Sequence, residues 1–230
     1  MIKGMRYRGF SFYFKDNDSK YKEIFDDILS YNFKTIKVLR SIDDTKVSLI
    51  DTKYGRYVFK VFAPKSKKGE RFFKSFVKGD YYKNLIVETD RVRKTGFLFP
   101  NDFYFLAERK VFNYASVFIM LIEYVEGVEL NDMPDIPDSV RAEIQSSMKR
   151  LHELKMLSGD PHRGNFIVSK EGVRIIDLSG KRCNAERMAR DRMAMERHLD
   201  IKNELEDCGY KRVIFKTKLR KFLKKLKGKE

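Results

Sequence analysis

The chain has 230 residues, 42% of them hydrophobic, with 19 Phe, 12 Tyr and no Trp. That length and apolar content build one large or two small domains and exclude a wholly disordered chain. Lysine and arginine number 49 against 33 acids, a formal charge of +16, which favours an anionic partner: nucleic acid, an anionic membrane or a phosphorylated substrate.

Two cysteines, Cys183 and Cys208, have no metal-type spacing and point to a reducing cytoplasm rather than a disulfide scaffold. Residues 1–14 are basic and then aromatic, without the long apolar core and small-residue cleavage site of a signal peptide. The longest apolar run, Val117 to Ile122, suits a buried strand and falls far short of the roughly 20 residues of a spanning helix. A soluble or membrane-peripheral protein is expected.

In chain order, residues 20–31 place Tyr21, Ile24, Phe25, Ile28 and Leu29 at helical spacing. Three strands follow at 35–40, 47–51 and 56–62, divided by a polar turn at 41–46 and by the Lys53-Tyr54-Gly55 turn. They form an antiparallel meander that Pro64 ends. Residues 65–70 are a charged loop, and 71–95 read as a helix with a break at Gly79 and Gly96 as its C-cap. Residues 103–110 and 112–123 are two more strands. Gly127 and residues 132–138 mark a linker. Asp138 or Ser139 should cap a helix through Met156, with Val140, Ile144, Met148 and Leu151 inward. From about Ala185 the chain is helical and charged. The order predicts a single α+β domain in the form of a bilobed kinase. Its antiparallel-sheet lobe spans 1–124, its hinge 123–127, its reduced helical lobe 128–210 and its basic tail 211–230.

The stretch from Ser158 to Arg182 carries the chemistry. Phe166-Ile167-Val168 and Val173-Arg174-Ile175-Ile176, joined by Lys170-Glu171-Gly172, read as a hairpin. Asp160 and Asn165 precede the first strand and Asp177 follows the second. Two carboxylates and an amide at the ends of one hairpin can converge. In phosphoryl transfer one Asp accepts the attacking hydroxyl's proton, while an Asn and a second Asp hold the metal that bridges the nucleotide phosphates. Asp160 is therefore the candidate general base, and Asn165 and Asp177 the candidate Mg²⁺ ligands. His162 reads as a loop histidine that holds backbone by a hydrogen bond; His152 and His198 read as helix residues.

Lys60 shares one strand face with Val58 and Phe62. An inward lysine is costly unless it meets an anion, so Lys60 is the candidate phosphate-binding lysine. Glu88, on the next helix, is its candidate partner, with Glu70 and Asp80 in competition. Backbone groups at Glu123 and Val125, where Val117–Ile122 emerges into a hinge, are placed to read an adenine edge.

Gly159-Asp160-Pro161-His162-Arg163-Gly164-Asn165 is similar to the catalytic loop of protein-kinase-like phosphotransferases, and Asp177-Leu178-Ser179 stands where those kinases have D-F-G. More closely, the segments 40–47, 70–75, 78–82, 132–136 and 158–182 resemble the lipopolysaccharide core heptose(II) kinases of enteric bacteria over nearly the full length. The resemblance implies ATP- and Mg²⁺-dependent phosphorylation of the second heptose of a lipid-linked inner core, at the cytoplasmic face of the inner membrane. Three features depart from the general kinase pattern: residues 41–46 contain no glycine, Asp177-Leu178-Ser179 replaces D-F-G, and no A-P-E follows Asp177. Regulation by an activation loop is therefore not expected.

From Lys211 to Lys229 there are ten basic residues and no acid, and Phe215, Leu219, Phe222, Leu223 and Leu226 fall on one helical face. A peripheral anchor on an anionic membrane is expected; no nucleic-acid module accompanies the charge. Two alternatives stand beside the sugar kinase. One keeps the fold but takes a protein or aminoglycoside hydroxyl. The other is a non-enzymatic basic adaptor with a degenerate kinase core.

Overall fold

The computed structural model describes residues 1–42, 44–63, 80–111 and 114–226. The chain divides into two compact units, Met1–Val125 and Glu126–Glu230.

The first unit is built on a seven-stranded antiparallel sheet in the order β1-β2-β6-β7-β5-β4-β3. Its strands are β1 (Ile2–Tyr7), β2 (Phe10–Lys15), β3 (Lys34–Ile42), β4 (Thr45–Thr52), β5 (Gly55–Phe62), β6 (Phe103–Val111) and β7 (Tyr114–Glu123). Helix α1 (Lys20–Leu29) follows β2. In β2, Phe10, Phe12 and Phe14 alternate with Ser11, Tyr13 and Lys15, so every phenylalanine meets one face. There they join Tyr57, Phe59, Phe105, Ala107, Ile119 and Leu121 from neighbouring strands and Tyr21, Ile24, Phe25 and Ile28 of α1. Phe12 lies 5.0 Å from Phe25 and 5.3 Å from Phe105, centroid to centroid. The 3-4 spacing read in the sequence is the face of α1 that is buried, except for Leu29, which is exposed at the helix end.

Alternation sends Phe62, Phe118, Met120 and Lys60 to the opposite face, where Lys60 stands across from Val47 and Met120. Helix α2 (Tyr81–Arg93) covers this face through Leu85, Ile86 and Val92, and the Tyr82 ring lies 4.0 Å from that of Phe118. Both ends of α2 are pinned by charge. Lys110 joins Asp80 at its start to Glu108 on β6, 2.7 Å away. Burial pushes the Glu108 carboxyl upward, against the pull of Lys110. At the other end Arg93 reaches Asp102 at 3.4 Å and Glu123 at 3.3 Å.

The meander and α+β class expected from the sequence are present. The β1–β2 hairpin was not foreseen; its Arg8-Gly9 turn has φ of 49° and 79°, the left-handed pair that suits a two-residue hairpin. Of the helix expected over 71–95, residues 71–79 lie outside the described residues. Its C-terminal stop is seen: Gly96 has φ +83° and donates to Arg93 O at 3.0 Å.

The second unit contains a three-stranded sheet, β10-β9-β8, formed by β8 (Val128–Glu129), β9 (Phe166–Ser169) and β10 (Gly172–Ile175). Its helices are α3 (Asp138–Glu153), α4 (Ala185–Leu199) and α5 (Cys208–Leu226). Helix α3 buries Ile144, Met148, Leu151 and His152. Neither Asp138 nor Ser139 caps it. Pro137 occupies the cap without a side-chain bond, and Asp138 sits in the first turn, where its charge suits the helix dipole. The helix stops short of Met156 because Lys155 turns left-handed, φ 59°. Helix α5 starts against the first turn of α4: a Cβ on Gly209 would lie 2.2 Å from Ala185 O.

Phe25→Ala should destabilise the first unit by about 3–5 kcal/mol, the cost of deleting a buried phenylalanine. Leu29→Ala, at the exposed end of the same helix, should stay within about 0.5 kcal/mol. Urea unfolding of the two variants checks this; equal losses would overturn the assigned face of α1.

Candidate active site

Three backbone contacts build the site in the second unit. The β9–β10 pair runs Phe166↔Ile175, Ile167↔Arg174, Val168↔Val173 and Ser169↔Gly172, and Gly172, at φ +105°, closes the turn. Beyond the ladder, Ile176 N donates to Asn165 O at 2.9 Å. That bond sets Asn165 and the segment leading into Asp177 side by side at one end of the hairpin. The second contact is the bridge between Leu157 and Ser179, with Ser179 N donating to Leu157 O at 3.2 Å. The third follows from it. A Cβ on Gly159 would lie 2.7 Å from the Ser179 Cβ, and Gly159 has φ +88°, so glycine is required there both for space and for conformation. The chain entering Asp160 and the chain leaving Asp177 therefore touch.

Within the loop, the Asn165 side-chain N–H donates to Asp160 O at 2.8 Å, and His162 N donates to the same oxygen at 3.0 Å. Gly164 N donates to His162 Nδ1 at 3.2 Å, the backbone-holding role read for His162. His162 Nε2 stands 3.9 Å from Asp160 Oδ2. Asp160 itself is exposed, its side chain 73% accessible, and Asp177 is exposed in a left-handed conformation, φ 57°. Asn165 is buried. With its N–H engaged by the loop, its amide oxygen is the atom that can face a cation. Among the described residues no group of three or more His, Cys, Asp or Glu could hold a metal. An amide and one carboxylate suit a hard cation that takes its remaining ligands from phosphate and water.

The loop is held from behind by residues outside the motif. Asp191 on α4 accepts from Ser158 N at 2.9 Å and Gly159 N at 3.0 Å, and its Oδ2 lies 3.2 Å from His152 Nε2 on α3. Arg163 donates to Leu130 O at 3.1 Å and also bonds Met133 O. Glu143 on α3 accepts from Val173 N at 2.7 Å and fixes the hairpin. Sequence reasoning missed Asp191, although a signal existed. Asp191, Met195 and Leu199 recur every four residues on the buried stripe of α4, and an acid on such a stripe needs donors.

In the first unit, Lys60 and Glu88 are not brought together. Glu88 bonds Arg91, one turn along α2, at 2.7 Å and is 44% exposed, because the sheet-facing side of α2 is given to Leu85, Ile86, Thr89 and Val92. Glu123 N donates to Asp102 O at 2.9 Å, and Asp102 N donates to the Glu123 carboxylate at 2.8 Å. The end of β7 is thus fixed, with Val125 buried just after it.

The family model described as lipopolysaccharide core biosynthesis protein (WaaY) matches residues 1–229. A protein of Escherichia coli named lipopolysaccharide core heptose(II) kinase WaaY is 81% identical over 229 residues, covering 100% of both chains. Its counterpart of the same name from Escherichia coli strain K12 is 53% identical over 229 residues, covering 100% of this chain and 99% of that one. The chain belongs to the WaaY family of lipopolysaccharide core biosynthesis proteins.

Proposed function

We propose that this chain is an ATP-dependent kinase that phosphorylates the second heptose of the lipopolysaccharide core. The observation that carries the reading is the junction at which the bonds Ile176 N to Asn165 O and Ser179 N to Leu157 O gather Asp160, Asn165 and Asp177 at one end of a single hairpin. Relatives of equal length that bear the name heptose(II) kinase supply the acceptor.

In this reading Asp160 orients the heptose hydroxyl and accepts its proton as the oxygen attacks; its exposure leaves it accessible to a bulky acceptor. ATP supplies the γ-phosphoryl group, and Asn165 and Asp177 would hold a Mg²⁺ ion, which when bound would supply positive charge against the phosphates. Lys60 binds nucleotide phosphate. Since the Glu123 N–H is engaged by Asp102, the Glu123 carbonyl and the Val125 N–H are the groups assigned to the adenine edge. Glu88 acts at most indirectly, through its pair with Arg91.

The same reading places the enzyme on the cytoplasmic face of an anionic membrane through α5. No helix among the described residues is long and apolar enough to cross a membrane. On α5, Phe215, Leu219, Phe222 and Leu223 are between 43% and 66% exposed in a segment with ten basic residues from Lys211 to Lys229. Each Lys or Arg near an anionic surface contributes about 1 kcal/mol, and the apolar side chains add burial.

Asp160→Asn should lower kcat for transfer of labelled phosphate from ATP to dephosphorylated core by about 10²–10⁴-fold, while the thermal shift with Mg²⁺-ATP persists. Undiminished turnover would remove Asp160 as base. Lys60→Met should abolish the nucleotide thermal shift. Glu88→Gln should leave it nearly intact, since an exposed ion pair contributes only about 0–1 kcal/mol; a loss equal to that of Lys60→Met would restore the Lys60–Glu88 pairing. In co-sedimentation, the protein should bind phosphatidylglycerol vesicles in a salt-sensitive way and ignore phosphatidylcholine. Phe222→Glu with Leu223→Glu should release it.

A further inference from the structure

Beside the catalytic loop, the second unit has a hollow of about 410 Å³ whose lining includes Gly159, Ser179, Lys181, Glu186, Arg187 and Arg190. A larger one of about 540 Å³, floored by Met148, Met188 and Met195, opens between α3 and α4 and carries both signs of charge. The smaller hollow differs in its charge. Its two acids are already satisfied from elsewhere. Asp191 holds the Ser158 and Gly159 amides. Glu186 is bonded by Lys216 of α5 at 2.6 Å and by Arg190 at 2.7 Å, and Lys216 and Arg190 together hold its carboxyl down at about 2. That accounts for Arg190 as well.

Lys181 and Arg187 remain. The Lys181 ammonium has no anionic partner among the described residues, and its backbone N–H is bonded to Ser179 Oγ. Arg187 gives one N–H to Arg182 O, which neutralises nothing and leaves the rest of its fork of donors. The hollow also lies at the amino end of α4, where Asn184 caps Arg187 N at 2.9 Å and the helix dipole adds positive potential. Two uncompensated cations on a concave wall form a receptor for an anion, and an arginine fork matches the oxygens of phosphate or carboxylate. Gly159, in the wall, is the residue before Asp160, which sets the hollow beside the loop that carries the candidate base.

We propose that Lys181 and Arg187 form an anion subsite that recognises a phosphate or carboxylate substituent already present on the acceptor, and so select which saccharide reaches Asp160. The identity of the acceptor rests on the kinase reading; the affinity of the hollow for an anion does not. Phosphate binding and acceptor kinetics therefore test the two separately.

In the first arm, inorganic phosphate is titrated into full-length protein by calorimetry in the absence of nucleotide. Lys181→Ala with Arg187→Gln should weaken binding at least tenfold. Lys181→Ala alone, at an exposed side chain, should weaken it less and guards against misfolding of the double variant. In the second arm, transfer from ATP is measured with core from cells lacking this protein, whose accepting hydroxyl is free, either left intact or treated with phosphatase. The double variant should raise the KM for intact core at least tenfold while the Mg²⁺-ATP thermal shift is unchanged. If wild type prefers intact core, the recognised anion is phosphate; if it does not, but the variant still raises KM on both, it is carboxylate. Phosphate binding equal in wild type and double variant, or an acceptor KM that the variant leaves alone, overturns the subsite. Absence of any transfer by wild type, with phosphate binding lost in the variant, would refute the kinase reading and leave the subsite standing.

Discussion

A carboxylate buried to 3% exposure persists only where protein donors replace its lost water, and Asp191 has them in the amides of Ser158 and Gly159 and the ring of His152. The arrangement joins three pieces of chain that are distant in sequence: the end of α3, the middle of α4 and the start of the Asp160 loop. Each amide left without its acceptor would cost about 1–3 kcal/mol, and the loop would lose its attachment at the residue before Asp160. Asp160 needs no burial of its own, because the chain leading to it is immobilised from behind.

The first unit solves a related problem with its charges. Lys110 sits between Glu108 and Asp80, and Arg93 between Asp102 and Glu123, so each end of α2 is tied to the sheet by a cation flanked by two acids. Between those ties Leu85, Ile86 and Val92 bury the helix against the sheet, the Lys83 ammonium lies over the Tyr13 ring and the amino terminus approaches Asp90 at 3.8 Å. Lys60 lies on the same sheet face as Met120 and Phe118, and the Tyr82 ring of α2 packs on Phe118.

Much of this was legible in the chain where period and chemistry agree. The inward stripe of α1, the meander from β3 to β5 and the hairpin around Lys170-Glu171 follow from spacing and turn residues alone. Asp160, Asn165 and Asp177 stand out as candidates because phosphoryl transfer restricts which residue types stand at those intervals. What escaped depended on distance in sequence. The partnership of Asp191 with residues 32 and 33 positions away has no local signature. Glu88 was read as a partner for Lys60 from its place in the order of elements, but its rotational position on α2 favoured Arg91. In β2 the alternation of Phe10, Phe12 and Phe14 is blurred in the sequence by the aromatic Tyr13 on the opposite face.

The bond from the Asn165 side-chain N–H to Asp160 O gives the amide two occupations. One end of the group stabilises the bend that presents Asp160, and the other leaves an acceptor oxygen. A carboxylate in the same place would be a better ligand for a cation, yet it would set a negative oxygen against the Asp160 carbonyl. Loop conformation and cation affinity are thus traded within one side chain. Asparagine meets the loop's demand because its amide carries the donor for the Asp160 carbonyl that a carboxylate lacks.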